Sequence, residues 1–240
     1  MATEAWVASN LYCPACSSPK LIPSKTGFAV TDFACPVCNE EFQLKAKRGL
    51  LGSTITDAAY SQALRAAEQN AFPNLLLLGY QTIPGPVVTL QAIPGPFITP
   101  TALEPRRPLT ASARRAGWIG CNIVIGNLPQ SARIAIIADE RPRQTAQVRS
   151  DWRRWDFLRE RDVSTRTWLN EILRRVESLG KQEFTLEEVY AFEEDLSRIF
   201  PHNRFVRPKI RQQLQVLRDR GFLEFRERGR YRYVPNRRVT

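Results

Sequence analysis

Cys13-Pro14-Ala15-Cys16 and Cys35-Pro36-Val37-Cys38 place four thiols in two CxxC turns separated by eighteen residues. A CxxC turn lets two sulfurs converge on one ion, and two such turns suit the closed tetrahedral site of a zinc ribbon or knuckle. Four protein ligands leave no position for water, so the expected Zn2+ is structural. The alternatives are two disulfides, which need an oxidising compartment, and a redox CxxC, which has no use for a second pair. The first residues lack a charged segment followed by an apolar stretch and a cleavage site. With the thiols, this sets the expectation of a reducing, cytoplasmic location. Cys121, within Gly-Cys-Asn-Ile-Val-Ile, reads as a small core residue.

Asp32 and Gln43-Leu44-Lys45 bracket the second pair. On a strand, Glu41, Gln43 and Lys45 share one face by the two-residue period, and Asp32 ends the preceding strand. A carboxylate, an amide oxygen and an ammonium can then converge. Phosphodiester hydrolysis assisted by a hard divalent ion needs oxygen ligands on the metal and a cation near the attacking water or the developing charge. The spacing resembles the D…(D/E/Q)xK signature of the PD-(D/E)xK nuclease superfamily. A solvated strand face is the other reading.

The chain carries 35 Lys and Arg against 24 Asp and Glu, a formal charge of +11, which favours a polyanionic partner such as nucleic acid. Residues 202–240 hold 12 of the basic groups and only 3 acidic ones. That stretch is interleaved with Phe205, Val206, Ile210, Leu214, Leu217, Phe222, Leu223, Phe225, Tyr231 and Tyr233, which a disordered basic tail does not need. No apolar run approaches the ~20 residues of a membrane span, so a soluble chain with no membrane partner is expected.

The C-terminal end reads as three helices and a hairpin. Ser164-Thr165 can cap a helix carrying Trp168, Ile172, Leu173 and Val176, stopped by Gly180. Thr185-Leu-Glu-Glu188 has the capping-box pattern and opens a second helix, ended by Pro201. A third runs from about Arg207 to Arg220, followed by strands Phe222 to Arg226 and Arg230 to Val234. This is a winged helix, expected over residues 162–240. Its third helix would enter the major groove. Lys209, Arg211, Gln212, Gln213, Gln215 and Arg218 have the side chains for base edges and phosphates. Arg226, Arg228, Arg230 and Arg232 read as phosphate contacts of the wing. Protein contact is the other use of such a domain.

Residues 1–161 read as mixed α/β. Phe28 to Phe33, Glu41 to Ala46, Leu75 to Tyr80, Val87 to Leu90, Phe97 to Thr99 and Ser131 to Ala138 are strand candidates. Thr56 to Asn70 reads as a helix, with Ile55, Tyr60, Leu64 and Ala67 on one face, and Arg141 to Arg149 as a polar loop.

Three longer stretches carry a resemblance. Asp32-Phe33, Cys35, Cys38, Glu40-Glu41-Phe42 and Leu44-Lys45 form the first; Ala113-Arg-Arg-Ala-Gly-Trp-Ile-Gly-Cys-Asn-Ile123 and Lys209-Ile-Arg-Gln-Gln-Leu-Gln-Val-Leu-Arg-Asp219 are the others. In order, over nearly the whole chain, they resemble the DpnI-type methyl-directed restriction endonucleases. The resemblance implies a PD-(D/E)xK nuclease domain with an inserted four-cysteine zinc knuckle, followed by a winged helix. It implies Mg2+-dependent cutting of double-stranded DNA at G-A-T-C sites whose adenines carry N6-methyl groups. By position, Asp32 and Gln43 would be Mg2+ ligands, Lys45 the catalytic cation, and Trp118 part of a methyl-reading pocket flanked by Arg114 and Arg115. A monomer is expected. The family has Glu where this chain has Gln43, so the site loses one negative charge, for which Glu41 or Glu4 could compensate.

One buried methyl contributes ~0.8 kcal/mol and discrimination by one group about 1–3 kcal/mol. Sparing unmethylated DNA therefore calls for two methyls per palindrome, read more than once. Trp118 is alternatively a core aromatic. The competing functions are a catalytically dead methyl-DNA reader, favoured by Gln43, and a zinc-ribbon winged-helix transcription regulator, which leaves Asp32 and Lys45 without a role.

Overall fold

The computed structural model describes residues 2–24, 31–49, 51–82 and 85–234. In chain order the elements are α1 (Ala2–Asn10), β1 (Ile22–Pro23), β2 (Phe33–Ala34), β3 (Glu41–Arg48), β4 (Thr54–Ala59), α2 (Tyr60–Glu68), β5 (Asn74–Tyr80), β6 (Val87–Ile93), β7 (Leu103–Pro105), β8 (Gly120–Val124), β9 (Ile134–Ala138), β10 (Arg141–Pro142) and α3 (Thr145–Arg153). The C-terminal part follows with α4 (Val163–Ser178), β11 (Glu183–Thr185), α5 (Leu186–Tyr190), α6 (Glu193–Ile199), α7 (Val206–Asp219), β12 (Leu223–Glu227) and β13 (Arg230–Tyr233).

The main sheet has the order β1-β2-β3-β5-β6-β9-β10. All its neighbours are antiparallel except β3 and β5, which run parallel. A parallel pair needs a crossover, here supplied by β4 and α2. Leu75, Leu76, Leu77 and Leu78 of β5 are all buried, the continuous apolar run of a strand covered on both faces. A second sheet, β4-β8-β7, is formed by the start of the crossover and a later hairpin.

Several expectations change here. Thr56 to Asn70 is not one helix: residues 54–59 form a strand paired with β8, and the helix starts at Tyr60. Ile55 and Asp57 alternate inward as strand residues do. Phe97 to Thr99 is not a strand, because Pro94 leads into a short 3-10 turn over Gly95–Phe97 that contains Pro96. Gly95 is required there, since a Cβ would lie 2.0 Å from the Phe72 carbonyl oxygen. The polar stretch from Arg141 contains β10 and α3, because Val148 and Trp152, four residues apart, bury one helical face among polar neighbours. Residues 28–30 of the strand expected from Phe28 lie outside the described residues; Phe33 belongs to β2.

The C-terminal part is a winged helix in the order helix, strand, three helices, hairpin. Asp162, rather than Ser164-Thr165, caps α4 by accepting the Thr165 N–H at 2.9 Å. The Thr185/Glu188 capping box forms and opens α5, but the expected second helix breaks at Ala191–Phe192 into α5 and α6. β11 joins the wing in a sheet of order β11-β13-β12.

The two parts are packed together. Arg166 of α4 is fully buried and donates to the carbonyls of Pro96 (2.9 Å) and Ala67 (2.8 Å). Asn170 donates to the Phe97 carbonyl at 2.9 Å. On the other side of the seam, Trp155 stacks on Phe222 with ring centroids 4.2 Å apart. The helix that starts the winged helix is thus also a wall of the α/β part.

Candidate functional site

The four cysteines meet beside the main sheet. Cys35 and Cys38 occupy the tight turn between β2 and β3, closed by the Cys35 N–H to Glu40 carbonyl and Asn39 N–H to Cys35 carbonyl bonds, with Asn39 at φ +61°. Cys13 and Cys16 lie in the loop after α1, and the four sulfurs fall within 4.8 Å of one another. The Cys13–Cys38 and Cys16–Cys35 sulfur pairs are 3.7 and 3.5 Å apart. Zn–S bonds of ~2.3 Å in a tetrahedron separate sulfurs by ~3.8 Å, whereas a disulfide needs ~2.05 Å. The cluster fits zinc and all five cysteines are free. Backbone N–H groups already point at the sulfurs, from Ser18 to Cys16 and from Val37 and Cys38 to Cys35. Burial resists ionisation of Cys35, but the Cys38 and Val37 N–H groups and the neighbouring Cys16 and Cys38 thiols bring it down to about 6. Burial pushes Cys38 up to about 12 and raises Cys13 as well.

Beyond the turn, β3 presents Gln43 and Lys45 side by side, as the two-residue period requires. They meet a carboxylate, and it is that of Asp57. Its Oδ1 accepts from Lys45 Nζ at 2.7 Å and from Gln43 Nε2 at 3.1 Å. Gln43 and Asp57 are both buried, 8 % exposed each. Gln43 Oε1 is buried and has no hydrogen-bond partner among the described residues. Asp32 is exposed just before β2, where its Oδ2 accepts the N–H of Leu44, the residue between Gln43 and Lys45, at 2.6 Å. It is therefore adjacent to the pair without a bond to either side chain. Glu41 is exposed and accepts from Thr31 Oγ1 at 3.3 Å.

Sequence reasoning missed Asp57 because its strand was read as helix. The available signal was Ile55-x-Asp57, an apolar and an acidic residue sharing the inward face of a short alternating run.

The small sheet ties this group to Trp118. Asp57 pairs with Cys121 of β8, the Tyr60 N–H bonds the Ile119 carbonyl, and Trp118 immediately precedes them. Trp118 is half-buried, not a core residue like Trp152 and Trp168. Its ring lies against Gly120, where a Cβ would fall 3.0 Å from Cζ3. The Arg115 guanidinium sits 5.1 Å from the ring centroid, a cation–π distance. Arg114 and Arg115 are exposed. Cys121 is fully buried, and burial together with the Asp57 charge raises its thiol to about 11, which keeps it protonated.

On α7, Arg211, Gln212, Gln215 and Arg218 face outward and Lys209 is half-buried. Gln213 does not share that face. It is 1 % exposed, on the side of Ile210, Leu214 and Leu217 that packs inward, and is removed from the DNA-reading set. Arg226, Arg228, Arg230 and Arg232 all lie on the wing. Arg226, Arg228 and Arg230 are exposed, and Arg232 is half-buried. Glu227 approaches Arg230 at 3.0 Å. Among the described residues no helix is long and apolar enough to cross a membrane.

A mixed α/β part with a four-cysteine cluster at a strand turn is continued into a winged helix with a basic outer face, the architecture of a two-part DNA-binding protein. The chain belongs to the DpnI family: the model of the Dam-replacing family matches residues 1–161, and that of the Dam-replacing helix-turn-helix domain matches residues 164–233.

Proposed function

We propose that the protein is a methylation-dependent restriction endonuclease that hydrolyses double-stranded DNA at G-(N6-methyl-A)-T-C sites with Mg2+. Residues 1–161 would form the nuclease domain and residues 162–240 the DNA-binding winged helix of a protein that acts as a monomer in the cytoplasm. The observation that carries the reading is Gln43 Oε1, a buried oxygen acceptor with no partner among the described residues, beside Lys45 and one residue from the peptide that Asp32 engages. An unpaired buried acceptor costs about 1–3 kcal/mol, and a hard cation prefers oxygen ligands of this kind. The Gln43 amide oxygen and the Asp32 carboxylate are oxygen donors of the kind Mg2+ takes, which supports the reading.

In this reading Asp32 and Gln43 hold the ion, which when bound supplies Lewis-acid stabilisation of the phosphate charge. Lys45 donates toward the attacking water or the developing oxyanion. The zinc knuckle holds Cys35 and Cys38 in the turn that joins Asp32 to Lys45, which keeps both ends of the hairpin in place without taking part in the chemistry. Trp118 offers an apolar ring to the adenine methyls. Arg114 and Arg115 bind phosphate beside it, as do Arg228 and Arg230 on the wing, while Lys209, Arg211, Gln212 and Gln215 of α7 enter the groove.

Cleavage of methylated plasmid by the parent, Asp32→Ala and Lys45→Ala, with Mg2+ or with EDTA, tests this reading. The parent should cut only with Mg2+ and both variants should bind without cutting. Methyl-dependent retardation with no cutting by the parent would leave a methyl-DNA reader. Methyl-indifferent binding would leave a transcription regulator.

A further inference from the structure

The two ends of the Gln43 carboxamide differ chemically: Oε1 attracts a cation and the Nε2 hydrogens repel one. A glutamate, whose two oxygens are equivalent, has no such choice to make. In this chain the choice is made by Asp57. An ionised carboxylate accepts hydrogen bonds and donates none, so the amide turns Nε2 toward Asp57 Oδ1, 3.1 Å away. Oε1 is then directed elsewhere, buried and without a partner among the described residues. The same Oδ1 takes the Lys45 ammonium at 2.7 Å, in a pair whose carboxylate side chain is only 2 % exposed. Asp57 is itself held by the ladder between β4 and β8, opposite Cys121, next to a bulge between Asp57 and Ala59.

We propose that Asp57 is a positioning residue that fixes the Gln43 amide with its oxygen toward the divalent cation and holds Lys45 beside it. It makes a Gln-x-Lys strand competent where a carboxylate would need no orientation. The proposal rests on the nuclease reading above.

The dependence on Gln43 gives it a specific test. Asn at position 57 can donate to Oε1 and so permits the amide to reverse, and Glu at position 43 removes the need for orientation. Mn2+ binding to the full-length, zinc-loaded protein is measured by the electron paramagnetic resonance of free Mn2+, for the parent, Asp57→Asn, Gln43→Glu, the double variant and Asp32→Ala, with melting temperatures alongside. Loss of an orienting partner lowers metal affinity about 10- to 100-fold, and Asp57→Asn should weaken Mn2+ binding by that factor in the parent. In the Gln43→Glu background the same substitution should cost much less.

An equal loss in both backgrounds would overturn the proposal, since Asp57 would then act through its charge or as a ligand. No loss in either would overturn it as well. If Asp57→Asn does not fold, Asp57→Glu keeps an acceptor-only carboxylate and should bind Mn2+ like the parent; a marked loss there overturns the proposal. Should the parent bind no Mn2+, or bind it no better than Asp32→Ala, the nuclease reading itself falls and the proposal with it.

Discussion

Arg149 of α3 donates from Nε to the carbonyl oxygen of Cys13 at 3.2 Å, and its NH2 group reaches the Ser18 carbonyl at 3.0 Å. The same guanidinium lies 5.2 Å from the centre of the Tyr12 ring. A helix far along the chain therefore clamps the loop that carries the first two thiols. Arg149→Met should lower zinc affinity about tenfold, as loss of an outer hydrogen bond to a metal site does, read by competition with a chromophoric chelator. Cys35→Ser removes a ligand and should lower melting temperature, zinc content and cleavage together. A Cys35→Ser protein that melts and cuts like the parent would contradict a structural role for the cluster.

Trp118 and Trp152 form a contrasting pair. Trp152 is 1 % exposed beside Phe42, with ring centroids 6.0 Å apart, so Trp152→Ala should cost about 3–5 kcal/mol of stability and impair every function at once. Trp118 rests half-buried on Gly120, and Trp118→Ala should change the melting temperature much less while collapsing the ratio of methylated to unmethylated cleavage. An unchanged ratio would remove Trp118 from methyl reading.

The seam between the two parts makes them one cooperative unit. Arg166 serves the carbonyls of Ala67 and Pro96 from a fully buried position. Charged hydrogen bonds contribute about 1.5–3 kcal/mol each, so Arg166→Ala should be strongly destabilising although it touches no proposed DNA contact. Residues 1–161 alone lose α4 and should unfold at a lower temperature than the full chain, which should melt in one transition. Two well-separated transitions in the full chain would contradict this coupling.

The basic face makes a quantitative statement about salt. Each phosphate contact adds a slope of about −0.9 in log affinity against log salt, so Arg228→Ala and Arg211→Ala should each flatten the slope by about that amount. Gln213→Leu should leave DNA affinity unchanged, because its side chain faces the core and its Oε1 has no partner among the described residues. A fall in affinity for Gln213→Leu would return that residue to the interface.

Much of this was legible in the residues. The CxxC pairs, the run from Leu75 and the alternation of Gln43 with Lys45 are short-range patterns, and short-range geometry decided them. The winged helix was readable because the apolar spacing of α4 and α7 and the Thr185/Glu188 capping box are short-range patterns. What escaped depended on tertiary partners. The strand before Tyr60 has no glycine or proline to separate it from α2, and Ile55 also reads as one face of a helix with Tyr60, Leu64 and Ala67. β11 has three residues and exists because β13 pairs with it. Gln213 has a side chain suited to adenine, and only the packing of α7 shows which way it points.

The central claim is methyl-directed cleavage, and it is tested most directly by one duplex containing a single G-A-T-C site, prepared unmethylated, methylated on one strand and methylated on both. Initial cleavage rates with purified protein and Mg2+ should rise with each methyl and be greatest when both adenines are modified. Equal rates on all three duplexes, or no cleavage of the doubly methylated one, would contradict the account.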